Sequence, residues 1–143
     1  LYRYGSKITG IELEFKNGLV VKSKARTNEK LLKEMIATKG ANRIGEYSLT
    51  DKRHSRITKF MAETLYDENM GWPFGNTHMA LGIAYRDCYA GDVSRLTNAQ
   101  AKALGYNDSS IHTDIISTTD RTVTAHLKGG KTKVIYKDGM FVL

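Results

Sequence analysis

Ile11-Glu12-Leu13-Glu14-Phe15-Lys16-Asn17-Gly18-Leu19-Val20-Val21-Lys22-Ser23 is the stretch that decides the fold class. Ile11, Leu13 and Phe15 alternate with Glu12 and Glu14, the period of two expected of a half-buried strand that reaches back to Ile8. Asn17-Gly18 then interrupts, and Asn-Gly is the strongest short signal for a tight hairpin turn. Residues 19–23 read as the returning strand. Past them the period changes. Leu31, Leu32, Met35 and Ile36 recur at helical spacing and predict a helix over 28–37, with Thr27 or Asn28 as cap and Lys39-Gly40 as stop. A hairpin followed at once by a helix excludes an all-β and an all-α chain.

The same reading continues outward. Residues 43–49 form a short strand. Residues 57–66 fit a helical face through Ile57, Phe60, Met61, Thr64 and Leu65, but their Thr and aromatic content fits a strand equally, and 77–85 is ambiguous in the same way. Residues 98–104 make a short helix closed by Gly105. The last third is β: strands at 111–117, 122–127, 132–136 and 140–143, with turns at Gly129-Gly130 and Asp138-Gly139. The single proline, Pro73, lies in the loop Gly71-Trp72-Pro73-Phe74-Gly75-Asn76. The expected architecture is α+β: a strand-rich mixed sheet with hairpins at both ends and a few short helices, forming a single domain over 1–143.

Composition narrows the function classes. A length of 143 residues allows one ordinary domain with a real core. No stretch approaches the ~18 apolar residues of a membrane span. The lone Cys88 excludes an internal disulfide framework and points to a reducing, cytoplasmic setting. The net charge of +7 invites a nucleic-acid reading, but the basic residues are scattered and only 51–59 is dense (Lys52, Arg53, Arg56, Lys59), so the charge argues for a solvated face. The chain begins at Leu1, without Met, in polar sequence, and is read as part of something longer.

His112-Thr113-Asp114 is an H-x-D pair. On a strand, residues two apart share a face, so an imidazole and a carboxylate reach one point, a donor pair suited to a metal ion. His78 stands at the mouth of the apolar run Met79-Ala80-Leu81, and Glu46 follows Gly45 among apolar residues. Taken singly, each has a structural explanation: a capping histidine, a strand-end glutamate. Their joint order carries more.

Ile44-Gly45-Glu46, Thr64-Leu65-Tyr66-Asp67-Glu68-Asn69, His78-Met79-Ala80-Leu81-Gly82-Ile83-Ala84-Tyr85 and Asn107-Asp108-Ser109-Ser110-Ile111-His112-Thr113-Asp114 follow one another, with a strand-rich tail from Ser117 to Asp120 and beyond. In this order and approximate spacing, over about two thirds of the chain, the sequence resembles the thermophilic metallo-aminopeptidase family. The resemblance implies a metal-dependent hydrolase, a protease that removes N-terminal amino acids from peptides. It further implies two divalent metal ions, zinc or cobalt, and a homodimer. It assigns Glu46, His78, Tyr85, His112 and Asp114 as metal ligands or metal neighbours, with Glu46 and Tyr85 also catalytic. Asp67, Glu68 and Asn76 become candidates to orient the imidazoles. His54 and His126 fall outside the pattern and are expected not to bind metal. Two departures stand out. The loop 70–77 is longer than in the family, adding Trp72, Pro73, Phe74 and Gly75. A further glutamate ligand and an N-terminal domain of the family have no counterpart, so the chain is expected to be the C-terminal catalytic portion of a longer protein and to need that missing N-terminal part as a partner.

The chemistry agrees with the resemblance. Two imidazoles and two carboxylates hold one divalent ion well and a second poorly; a third carboxylate would balance a two-metal site. Such ions acidify a bound water to a pKa near ~7 and polarise the scissile carbonyl. The competing expectation is a non-enzymatic or inactive relative whose basic surface binds RNA or a partner protein, with 52–59 as its local support.

Overall fold

A computed structural model describes residues 1–142, so the last expected strand, 140–143, reaches beyond the described residues by Leu143. The chain separates into two compact units, each built from two stretches of sequence: Leu1–Tyr47 with Met79–Ile115, and Ser48–His78 with the residues from Ile116 onward. Three strands, β5 (Ile44–Thr50), β6 (Asn76–Gly82) and β7 (His112–Ser117), form a sheet of order β5-β6-β7, and the division between the units falls inside each of them.

In the first unit β1 (Tyr2–Arg3) and β2 (Ser6–Lys7) pair across a turn at Tyr4 and Gly5, both at positive φ. β3 (Glu12–Lys16) and β4 (Leu19–Lys24) form the expected antiparallel hairpin, and Asn17 (φ 51°) and Gly18 (φ 75°) supply the left-handed pair the turn requires. Leu13 and Phe15 face inward and the glutamates outward, as the alternation predicted. α1 (Glu29–Ala37) buries Leu32 and Met35 in a core with Ile8, Ala41, Leu81 and Ile111. Its start differs from expectation. Thr27 Oγ1 accepts from Thr9 N (3.0 Å), and Asn28 Nδ2 donates to Lys7 O (2.8 Å). Tertiary partners thus take both candidate caps, and neither side chain caps the helix. α3 (Asn98–Ala103) does start on a capping box, Thr97 with Gln100.

In the second unit β8 (Val123–His126), β9 (Thr132–Lys137) and β10 (Met140–Phe141) make an antiparallel sheet of order β10-β9-β8. Its turns carry positive φ at Gly129, Gly130, Asp138 and Gly139. Tyr136 is fully buried, and its hydroxyl lies 2.8 Å from Thr50 O and 3.2 Å from Phe74 O. Asp51 closes the end of β5. Its carboxylate accepts from Arg53 N, Nε and Nη2 and from Phe141 N, and these bonds hold its carboxyl well below the usual carboxylate range despite burial. The ambiguous stretch 57–66 resolves as irregular chain ending in α2 (Thr64–Asp67). Phe60, Met61, Leu65 and Tyr66 are exposed, so the apparent helical face had no core to cover, and Ala62 (φ 58°) interrupts it. The α+β class therefore stands, with the strands of the described residues distributed over four small sheets.

Candidate metal centre

The pleat of β7 sends His112 and Asp114 to one side and buries Thr113 on the other. β5 contributes Glu46. His112 Nε2 lies 3.5 Å from Glu46 Oε2 and 3.8 Å from Asp114 Oδ1, and one ligand atom from each of the three lies within 4.8 Å of the others. The imidazole and the Asp114 side chain are only 18% and 12% exposed. These separations exceed hydrogen-bond length. They match donors that share an ion: two ligands each about 2.1 Å from a tetrahedral centre sit about 3.4 Å apart. Two carboxyl groups and an imidazole converge here, with His112 and Asp114 mostly covered and Glu46 partly open, and this donor set fits a divalent cation.

Main chain positions these side chains. A Cβ on Gly45 would fall 2.3 Å from Ile83 O and 2.6 Å from Gly82 O, so only glycine lets the strand bearing Glu46 approach that segment. Ile83 O in turn lies 3.0 Å from His112 Nδ1. A carbonyl can only accept, so Nδ1 carries a proton and Nε2 is the ring nitrogen turned toward the carboxylates. The Tyr85 ring packs on His112, centroids 4.6 Å apart at 42°, and is half exposed.

In the second unit, His78 and Asn76 occupy alternate buried positions of β6. His78 Nδ1 lies 3.0 Å from Glu68 O, which fixes the same tautomer as in His112. Asn76 Nδ2 donates to Asp67 O (2.8 Å), and the buried Asp67 carboxylate accepts from Met61 N (2.7 Å). Of the three residues expected to orient imidazoles, Glu68 meets His78 through its main-chain carbonyl, while Asp67 and Asn76 hold the turn that presents that carbonyl. His54 and His126 are exposed and lie in no cluster of candidate ligands among the described residues. Sequence reasoning overlooked the orienting carbonyl of Ile83, since every residue type carries one. It also gave Asn107 no role, although the motif around His112 begins with it.

The Thermophilic metalloprotease (M29) family model matches residues 1–141. Curated relatives include Aminopeptidase PepS of Streptococcus thermophilus, 32% identical over 97% of this chain and 33% of its own length. Aminopeptidase AmpS of Bacillus subtilis (strain 168) is 30% identical over 94% of this chain and 32% of its length. Aminopeptidase T of Thermus aquaticus is 28% identical over 97% and 33%. The solved structure of wild-type AmpT from Thermus thermophilus superposes with a TM-score of 0.81 at 26% identity, covering 97% of this chain and 33% of that one. The chain thus spans about a third of the length of the relatives it matches. A match over nearly every residue, on a chain whose fold gathers Glu46, His112 and Asp114, means that it belongs to the thermophilic metalloprotease family.

Proposed function

We propose that this chain is the C-terminal catalytic portion of a metal-dependent aminopeptidase, a hydrolase that removes N-terminal amino acids from peptides. The observation that carries the reading is the convergence of Glu46, His112 and Asp114, with Tyr85 packed on the imidazole. The relatives named above, each an aminopeptidase by name, support the substrate class.

Glu46, His112 and Asp114 would hold a divalent ion; the resemblance adds His78 as a ligand, two ions in all, zinc or cobalt, and a carboxylate from the remainder of the protein. When bound, such ions supply Lewis acidity toward a carbonyl oxygen and lower the pKa of water. With one carboxylate oxygen left off the metal, Glu46 takes the proton of the attacking water as the water oxygen bonds to the scissile carbonyl carbon, and returns it to the leaving amine as the C–N bond breaks. The exposed Tyr85 hydroxyl donates to the oxyanion that develops. The long loop 70–77, with Trp72 63% exposed, borders the strand carrying His78 and contributes apolar surface for substrate. A homodimer in the cytoplasm completes the reading; the single free thiol, Cys88, suits a reducing compartment. The basic run 52–59 is less available than its charge suggests, because Arg53 is committed to Asp51.

The test is metal analysis of the purified protein, followed by hydrolysis of aminoacyl chromogenic substrates before and after chelation. Metal-dependent release of the N-terminal residue is expected. Full hydrolysis after complete metal removal would overturn the reading.

A further inference from the structure

The segment Gly82-Ile83-Ala84 leaves β6 and carries the carbonyl that meets His112. Its main chain is gripped from several sides. Gly82 N donates to Arg43 O (2.9 Å) and Ile83 N to Ile111 O (2.7 Å). The remaining grips come from one residue. Asn107 Nδ2 donates to Gly82 O (2.6 Å) and to Gly40 O (2.7 Å), and Asn107 O accepts from Ala84 N (2.9 Å). Asn107 thus bonds the peptide units on either side of Ile83, and two anchors flanking one residue fix the direction of its carbonyl.

We propose that Asn107 is a positioning residue for His112: by clamping residues 82 and 84 it aims Ile83 O at Nδ1, and so holds Nε2 as the lone pair facing Glu46 and Asp114. The proposal rests on the reading of His112 as a metal ligand and adds a residue that never touches the metal. The residue type follows from the chemistry. Both acceptors are carbonyls, so the group between them must offer two N–H bonds in a fixed plane, which a side-chain amide does. Aspartate would set a carboxylate against both. Ser109 is the built-in control. Its hydroxyl donates to Lys39 O (2.8 Å) and accepts from Ile111 N (3.1 Å), so it secures the same loop without bonding residues 82–84.

The experiment uses the metal-free, ¹⁵N-labelled protein above the ordinary imidazole pKa, with the ring nitrogens of His112 read by long-range ¹H–¹⁵N correlation. Zinc affinity is measured separately by titration. Wild type is expected to show the Nδ1–H tautomer. Asn107→Ala, and the milder Asn107→Ser, should raise the Nε2–H share and weaken zinc binding about tenfold or more, the scale of losses when a ligand's orienting partner is removed. Ser109→Ala should leave both readings within about twofold, and amide protection at Leu32 and Leu81 reports an intact core. A folded Asn107 variant with the wild-type tautomer overturns the proposal. So does Ser109→Ala shifting the tautomer equally, and so does failure of both Asn107 variants to fold, which would make the residue a determinant of folding. Absence of zinc binding in wild type would sink the functional reading, while the tautomer measurement still decides the role of Asn107.

Discussion

Asp51→Asn tests how far a single carboxylate holds the end of β5 to β10. Asp51 is 4% exposed and accepts four hydrogen bonds: Arg53 N and Nε on Oδ1 (both 2.9 Å), Arg53 Nη2 (2.6 Å) and Phe141 N (2.8 Å) on Oδ2. Asparagine keeps the shape but exchanges one oxygen for an NH₂ group, so two donors face a donor whichever way the amide turns. A hydrogen bond to a charged group contributes about 1.5–3 kcal/mol. The Arg53 side chain is 52% exposed, and its lost bond is largely recovered in water. The net loss is set by the main-chain donor left facing the amide, about 1.5–3 kcal/mol. Its pH dependence has a definite sign. The Asp51 carboxyl titrates below its ordinary range, held there first by its bond to the Arg53 side chain. Its stabilisation is therefore complete above the unfolded-state pKa of about 3.9 and is lost as pH falls through the lower folded value. Urea titrations of both proteins should show a gap that is level from neutral pH to about pH 5 and shrinks below about pH 4. A neutral-pH gap under about 0.5 kcal/mol, or one that widens on acidification, would refute the reasoning.

Gly82→Ala places a Cβ 1.8 Å from Ile111 O at a φ of 109°; overpacking and backbone strain together should cost about 2–4 kcal/mol in thermal or urea unfolding, and a loss below about 1 kcal/mol would show that the segment yields freely. His112→Ala and Asp114→Asn should each lose bound metal on dialysis, whereas His54→Ala and His126→Ala should retain the wild-type equivalents; one lost equivalent in either of the latter removes the distinction drawn between the four histidines. Tyr136→Phe strips the hydroxyl from a fully buried ring and leaves Thr50 O and Phe74 O without it, at a cost of about 1–2 kcal/mol by chemical denaturation, and an unchanged midpoint would mean that those carbonyls find other donors.

Elements encoded by local pattern were legible in the sequence. The Asn17-Gly18 turn, α1 and the strands around Gly129-Gly130 and Asp138-Gly139 need only turn chemistry and periodicity and stand within a residue or two of where these place them, whereas β3 begins at Glu12, four residues after the Ile8 that the alternation suggests. The shared face of His112 and Asp114 was legible for the same reason, since a strand's pleat fixes it. Positions decided by distant partners were not. Thr27 and Asn28 have cap chemistry, yet Thr9 and Lys7 claim them. The apolar residues of 57–66 mimic a buried face, but nothing in the stretch itself tells whether a core lies opposite. The need for glycine at position 45 depends on how closely the chain at 82–83 passes, which no local window contains.

The orientation of buried His78 and half-buried His112 shows what kind of change the site should tolerate. His78 and His112 each set Nδ1 against a main-chain carbonyl, that of Glu68 or of Ile83. A carbonyl belongs to every residue, so the Ile83 side chain can change without removing the group that selects the tautomer. What cannot change freely is the path of the backbone that delivers it. That path is set elsewhere: by Asn107 and by the absent Cβ atoms of Gly45 and Gly82 for Ile83, and by Asn76 and the buried Asp67 for Glu68. Imidazole orientation should therefore be robust to a conservative replacement such as Ile83→Val and fragile at Asn76, Gly82 and Asn107, the reverse of a ranking by distance from the ring. The comparison is direct, because Ile83→Val and Gly82→Ala alter adjacent residues by one methyl group each. Equal effects of the two on the His112 tautomer would mean that side-chain packing, not backbone direction, holds the ring.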